Sequence, residues 1–117
     1  MQAFELSQFL GAADRTSVHY KEFLRQPSLS VGLYFLPAGA TDPQKPHTED
    51  EVYYIVSGQG SIYVGGEDRP VQAGSVVFVG AGVEHRFHTI TEDMSILVFF
   101  APAEYTRASA ANTTAGQ

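Results

Sequence analysis

Turn-forming residues return every few positions along this chain, and the stretches between them suit short strands. Pro27-Ser28, Pro37-Ala38-Gly39, Gly58-Gln59-Gly60, Gly65-Gly66, Ala73-Gly74 and Gly80-Ala81-Gly82 punctuate it. Between them lie runs rich in Val, Ile, Tyr and Phe: Leu29–Leu36, Val52–Val56, Ser61–Val64, Val76–Val79 and Ser95–Phe100. β-branched and aromatic side chains fit a pleated, half-buried surface, and Gly and Pro end such runs. This rhythm predicts an all-β antiparallel sandwich or barrel. Gly65-Gly66 accepts the positive φ values of a two-residue hairpin turn and would join Ser61–Val64 to a strand near Arg69–Val71. The run Ser75–Val79 predicts a strand covered on both faces. Only Phe4–Ala12 has a helical pattern, with Phe4, Phe9 and Leu10 on one side and a stop at Gly11.

The 117 residues make one domain. Apolar content of 44% against 17% charged residues supports a folded core. The barrel is expected over residues 1–108, with residues 1–26 as an extension holding the short helix and an edge strand. Residues 109–117 carry little apolar surface to bury and read as a disordered tail. There is no cysteine, which excludes disulfides and thiolate-held zinc. Any metal must therefore take nitrogen and oxygen ligands. Net charge is −6 and the seven basic residues are scattered, so neither nucleic acid nor an anionic membrane surface is expected as a partner. No stretch approaches the roughly 20 apolar residues of a membrane span. Met1–Gly11 lacks a basic leader region, and the expected location is the cytoplasm. No phosphate-binding or dinucleotide fingerprint is present.

Four residues carry potential chemistry: His47, Glu49, Glu51 and His85. His47 follows Pro46 in an extended approach. Glu51 opens the run Val52-Tyr53-Tyr54-Ile55, and strand alternation puts Glu51, Tyr53 and Ile55 on one face. A carboxylate on an apolar face needs a partner, because burying it ionised and unpaired costs several kcal/mol or more. His85 and Phe87 share one face of the next segment, and Arg86 and His88 the other. Two imidazoles and one carboxylate are the ligands of a site that leaves coordination positions open. The alternative is a Glu51–Arg86 ion pair in a metal-free fold. Glu49 and Asp50 read as solvated turn residues, and His88 as a surface histidine.

Residues Gly39–Gly58 resemble the first motif of the cupin family: Gly, five residues, His-x-His, three or four residues, Glu, six residues, Gly. Six residues separate Glu51 from Gly58, and His47 falls at the second His. Residues Gly74–Thr89 resemble the second motif: Gly, five residues, Pro-x-Gly, two residues, His, three residues, Asn. Gly74, Gly82 and His85 match in register. Three positions depart from the pattern. Lys45 stands at the first His, Gly80 at the Pro and Thr89 at the Asn. An ammonium group cannot ligate a cation unless it deprotonates. The resemblance therefore implies a double-stranded β-helix, or jelly-roll barrel, holding one divalent ion (Fe, Mn, Ni or Zn) through His47, Glu51 and His85. Gln44 and Glu49 are candidate additional ligands. Tyr53, Tyr63 and Phe87 are candidate pocket residues, and Glu49, Tyr53 and Tyr63 candidate bases. Lys45 reads as a solvated lysine.

The resemblance implies a small organic molecule bound in the barrel. With Fe(II) the expected chemistry is that of a dioxygenase; with Mn, Ni or Zn it is carbonyl polarisation for isomerisation, cyclisation or hydrolysis. The alternative is a ligand- or carbohydrate-binding module without turnover. The resemblance also implies a homodimer, for which Leu29–Leu36 and Ser95–Phe100 are the expected contact strands.

Overall fold

A computed structural model describes residues 1–12 and 15–106. The elements run α1 (Leu6–Ala12), β1 (His19–Gln26), β2 (Leu29–Leu36), β3 (Asp50–Val64), β4 (Glu67–Gln72), β5 (Val76–Val79) and β6 (His85–Ala101). β2 and β5 coincide with the runs read from the sequence. The helix starts later than expected and runs through Gly11. The tail expected from about Ser109 lies outside the described residues. Among the described residues no helix is long and apolar enough to cross a membrane.

All strand pairs are antiparallel, in the order β1-β2-β6-β3-β4, with β5 alongside β3. The expected Gly-Gly hairpin is present: Val64 pairs with Glu67, and both turn glycines have positive φ. Gly58-Gln59-Gly60, by contrast, is not a turn between two strands. One strand of fifteen residues, β3, runs straight through it. His85 and the Ser95–Phe100 run likewise belong to a single strand of seventeen residues, β6. β3 and β6 pair along their length, with register shifts between Ile55 and Ser61. Glycine inside a strand marks a bulge or a sharp bend, and here it lets the sheet roll onto itself. The first half of β3 lies between β5 and the end of β6; its second half lies between β4 and the start of β6.

The inner face of the rolled sheet forms the core, built on Leu36, Tyr53, Ile55, Phe87, Met94 and Ile96. The outer face of β2 is covered as well, since Val31, Leu33 and Phe35 are buried. Arg15 places its guanidinium 5.4 Å from the Phe35 ring centre, and Phe9 of α1 stacks on Phe23 of β1 at 4.5 Å. β2 is thus the strand buried on both faces. The sequence pattern assigned that role to β5, where Val76 and Phe78 are instead 66% and 63% exposed. With the exposed Tyr54 and Phe99 they form an apolar outer face across β5, β3 and β6. An apolar run records that water is avoided, but not which element does the covering.

Candidate metal centre

The fold brings His47, Glu51 and His85 together, as their types and spacing lead one to expect. Glu51 is the second residue of β3, and alternation points it inward beside Tyr53 and Ile55. His85 opens β6 and pairs with Val64, at the far end of β3. In a straight strand Glu51 and Val64 would stand about 40 Å apart. The bend brings the two ends of β3 face to face, and Glu51 Oε1 lies 2.8 Å from His85 Nε2. His47 reaches the same point from the loop before β3, its Nδ1 3.5 Å from Glu51 Oε1. Its carbonyl accepts the Gly82 N–H at 2.7 Å, tying the first motif to the loop that carries His85. One ligand atom from each of the three residues lies within 4.8 Å of the others.

Each imidazole is held by its outer nitrogen. His85 Nδ1–H donates to the Val83 carbonyl at 2.9 Å. His47 Nε2–H donates to the Glu104 carboxylate at 3.1 Å. Both outer partners are acceptors, which fixes the protons on the outside and turns His85 Nε2 and His47 Nδ1 toward Glu51. Such outer hydrogen bonds orient a ligating histidine and raise its basicity. Burial alone would lower the His47 pKa, but the Glu104 and Glu51 carboxylates outweigh it and push it up to about 9. His85 is also raised, because Glu51 more than offsets burial. Burial would raise Glu51, yet the two imidazoles hold it below the usual carboxylate range.

Among the described residues five buried side-chain polar atoms lack a hydrogen-bond partner, and three of them are here: His47 Nδ1 and both carboxylate oxygens of Glu51. The close His85 contact lacks hydrogen-bond alignment and leaves Glu51 unsatisfied. The raised imidazole pKa values show that this place attracts positive charge: without a metal it is protons that lie between the rings and Glu51, and with the rings neutral the facing acceptors are costly unless a cation lies among them. The donor set therefore fits a divalent ion.

The remaining candidates divide. Gln44 and Tyr53 join the site: Tyr53 O–H donates to Gln44 Oε1 at 2.9 Å, and that oxygen lies 3.3 Å from His85 Nε2. Phe87 packs edge-on against Tyr53 at 5.0 Å and forms part of the floor. Tyr63 does not join, because it faces outward under the Arg86 guanidinium, 4.6 Å from its ring centre. Arg86 is engaged there and half exposed, so the Glu51–Arg86 pair does not form. Glu49 is buried at 1% exposure rather than solvated, but outside the ligand cluster. Its carboxylate accepts the Tyr105 N–H at 2.9 Å and the Thr48 hydroxyl at 2.5 Å.

A cavity of about 370 Å³ opens beside His47, walled by Tyr20, Tyr34, Gln44, Val98, Phe100 and Glu104, with Lys45 exposed at its edge. Sequence reasoning missed three of the polar groups around it. Glu104 sits in a segment of small residues, where a lone carboxylate two positions past Pro102 was the available signal. That segment is anchored from below: Glu104 N–H donates to Ser30 Oγ at 2.9 Å, and Arg25 donates to the Glu104 carbonyl at 2.7 Å. The Tyr20 hydroxyl lies over Gly32, is buried, and has no partner. Asp42 looks like a turn residue before Pro43 but is buried, and it accepts the Tyr34 hydroxyl at 2.5 Å and the Phe87 N–H at 2.8 Å.

Comparison with known proteins shows the family. An uncharacterized protein of Streptomyces coelicolor, SCO3923, is 51% identical over 104 residues, covering 89% of this chain and 99% of that one. The oxalate-binding protein of Thermotoga maritima is 37% identical over 59 residues, half of this chain and 40% of its own length. The crystal structure of TT1209 from Thermus thermophilus superposes with a TM-score of 0.73 at 25% identity, over 88% of this chain and 99% of that one. The sequence model of the Cupin domain matches residues 32–100, taking in both motifs and His47, Glu51 and His85. The chain belongs to the cupin family, with its double-stranded β-helix fold.

Proposed function

We propose that this protein holds one divalent ion, Fe, Mn, Ni or Zn, through His47, Glu51 and His85, and acts on a small oxygen-bearing organic molecule in the adjoining cavity. The observation that carries this reading is the convergence of buried, unsatisfied acceptors beside that cavity. The bound ion would supply Lewis-acid polarisation of a substrate oxygen, suited to isomerisation or cyclisation, or with Fe(II) the activation of dioxygen. The chain's own residues do the rest. Val98 and Phe100 exclude water from the cavity wall. The Tyr20 hydroxyl offers an unused donor to a substrate oxygen, and burial followed by the charge of Glu104 keeps this phenol protonated. Glu104 holds one His47 proton on Nε2, so that Nδ1 is the nitrogen freed for the ion once the second proton leaves.

A second reading is a metal-dependent binding module without turnover, favoured by the relative named for oxalate binding. The test is metal content after purification without a tag or chelators, beside His85→Ala. About one metal per chain is expected in the wild type, with loss in the variant. No metal after Fe(II), Mn, Ni and Zn have each been offered would remove the reading. Oxalate that binds the loaded protein and is recovered unchanged would favour the module.

The protein works as a homodimer in this reading, but not through Leu29–Leu36, which is buried except for Leu29. The contact is the outer face of Tyr54, Val76, Phe78 and Phe99, which carries no charge, so that two copies of net charge −6 can meet there. Sedimentation velocity should find a dimer that Phe78→Ser dissociates; a monomeric wild type at tens of micromolar (roughly the range where such faces pair) would argue against it.

A further inference from the structure

Lys45 leaves the first motif position without a ligand, yet an oxygen stands ready one residue earlier. We propose that Gln44 is a fourth metal ligand through Oε1, and that Asp42 is the residue that positions it. This rests on the metal reading above. The amide cannot turn freely: Gln44 Nε2–H donates to Asp42 Oδ2 at 2.8 Å, and Gln44 N–H donates to Asp42 Oδ1 at 3.3 Å. With the nitrogen tied to a carboxylate, the carbonyl oxygen must face the other way, toward His85 Nε2 at 3.3 Å.

When His85 is neutral, its one ring proton sits on Nδ1, which donates to the Val83 carbonyl. In the neutral ring that a metal requires, Gln44 Oε1 and His85 Nε2 are therefore two lone pairs aimed at each other, beside the unsatisfied Glu51 carboxylate. Neighbouring donor atoms around an ion with bonds near 2.1 Å stand about 3.0–3.4 Å apart. Here the 3.3 Å between His85 and Gln44 falls within that range and the 2.8 Å between Glu51 and His85 just below it. The Tyr53 hydroxyl occupies only one lone pair of the Gln44 oxygen. The second lone pair is left for the ion. Asp42 is itself held by the Tyr34 hydroxyl and the Phe87 N–H, so the orientation of Gln44 is built into the barrel wall. The resulting set, two imidazoles, a carboxylate and a neutral amide oxygen, is harder than one with a third imidazole and shifts preference toward Mn(II) and Fe(II).

The test uses Mn(II) and Co(II) alone as probes of the full chain. Gln44→Ala should lower Mn(II) affinity about tenfold or more and change the visible absorption of the Co(II)-loaded protein. Asp42→Asn should give an intermediate loss with the same kind of spectral change, and circular dichroism checks that each variant is folded. Lys45→Ala should leave affinity and spectrum as in the wild type. Wild-type affinity and spectrum in Gln44→Ala would overturn the fourth ligand while leaving the three-residue site intact. A wild type that takes up neither ion would overturn both, so the two failures are distinguishable. A Lys45→Ala loss equal to that of Gln44→Ala would also overturn the assignment.

Discussion

Glu51→Gln is expected to lower the affinity for Mn(II) or Fe(II) by about 100-fold or more, beyond the usual effect of disturbing an outer hydrogen bond. Glu51 is the only carboxylate in the ligand cluster, and the charge it brings cannot be replaced by an amide. The same experiment has a pH signature. In the metal-free protein His47 keeps its second proton up to about pH 9, and that proton must leave before Nδ1 can ligate. Wild-type affinity should therefore climb by at least about tenfold per pH unit from neutrality, more steeply where the raised His85 also sheds its proton, and the His47 contribution should level off as pH passes about 9.

The stability of the metal-free protein runs the other way. A pKa raised from 6.5 to about 9 contributes stability that is complete below pH 6.5 and lost as pH rises through 9. The lowered Glu51 pKa contributes stability above its ordinary value of 4.5 that is lost as pH falls. The difference in melting temperature between loaded and chelator-treated protein should thus widen from pH 6 to pH 9, within the window that the His47 shift defines. In Glu51→Gln one of the two carboxylates raising His47 is gone, and the break in the affinity profile should move to lower pH. Isothermal titration across this range reads both effects. A wild-type affinity independent of pH, or a Glu51→Gln variant that binds normally, would contradict the assignment.

Gly58→Ala is expected to cost about 3 kcal/mol or more of folding stability, placing it among the severe single substitutions. A Cβ at Gly58 would meet Asp93 O at 2.2 Å and Met94 Cα at 2.7 Å. These are backbone atoms of the paired strand and cannot swing aside as a side chain would. The residue also sits at φ +95°, where a side chain is strained in its own right. Gly66→Ala is the control. Its φ is +94°, but nothing lies within 4 Å of the added carbon, so only the conformational cost of about 1–2 kcal/mol applies. Urea denaturation of the two variants should separate the steric cost from the conformational one. Gly58 also governs the site, because the bend beside it brings Glu51 and His85 together. Any folded Gly58→Ala protein should lose metal affinity as well as stability, and equal stabilities of the two variants would refute the steric argument.

The β character of the chain, the Gly65-Gly66 hairpin and the inward face of Glu51 and Tyr53 were legible in the residues themselves, and the resemblance to the cupin motifs singled out His47, Glu51 and His85 as candidate ligands. The first three follow from local rules, since side chains alternate along a strand and two glycines accept a primed turn. What the tertiary structure decided is everything that depends on which surfaces meet. Gly58 reads as turn chemistry in either case, and only the partner strand makes it a bulge within one long strand. Val76–Val79 and Leu29–Leu36 look alike as apolar runs, and only the placement of the N-terminal segment buries one and leaves an outer face of the other exposed. Glu49, Glu104 and Asp42 are carboxylates in loops, which composition reads as solvated. Each is buried because a backbone N–H or an imidazole N–H from a distant segment needs an acceptor. Such pairings join residues as far apart as positions 47 and 104, and neither pattern nor spacing encodes them. For that reason His47, Glu51 and His85 could be named from the sequence, while the partners that orient His47 and Gln44 emerged only once the strands were rolled together.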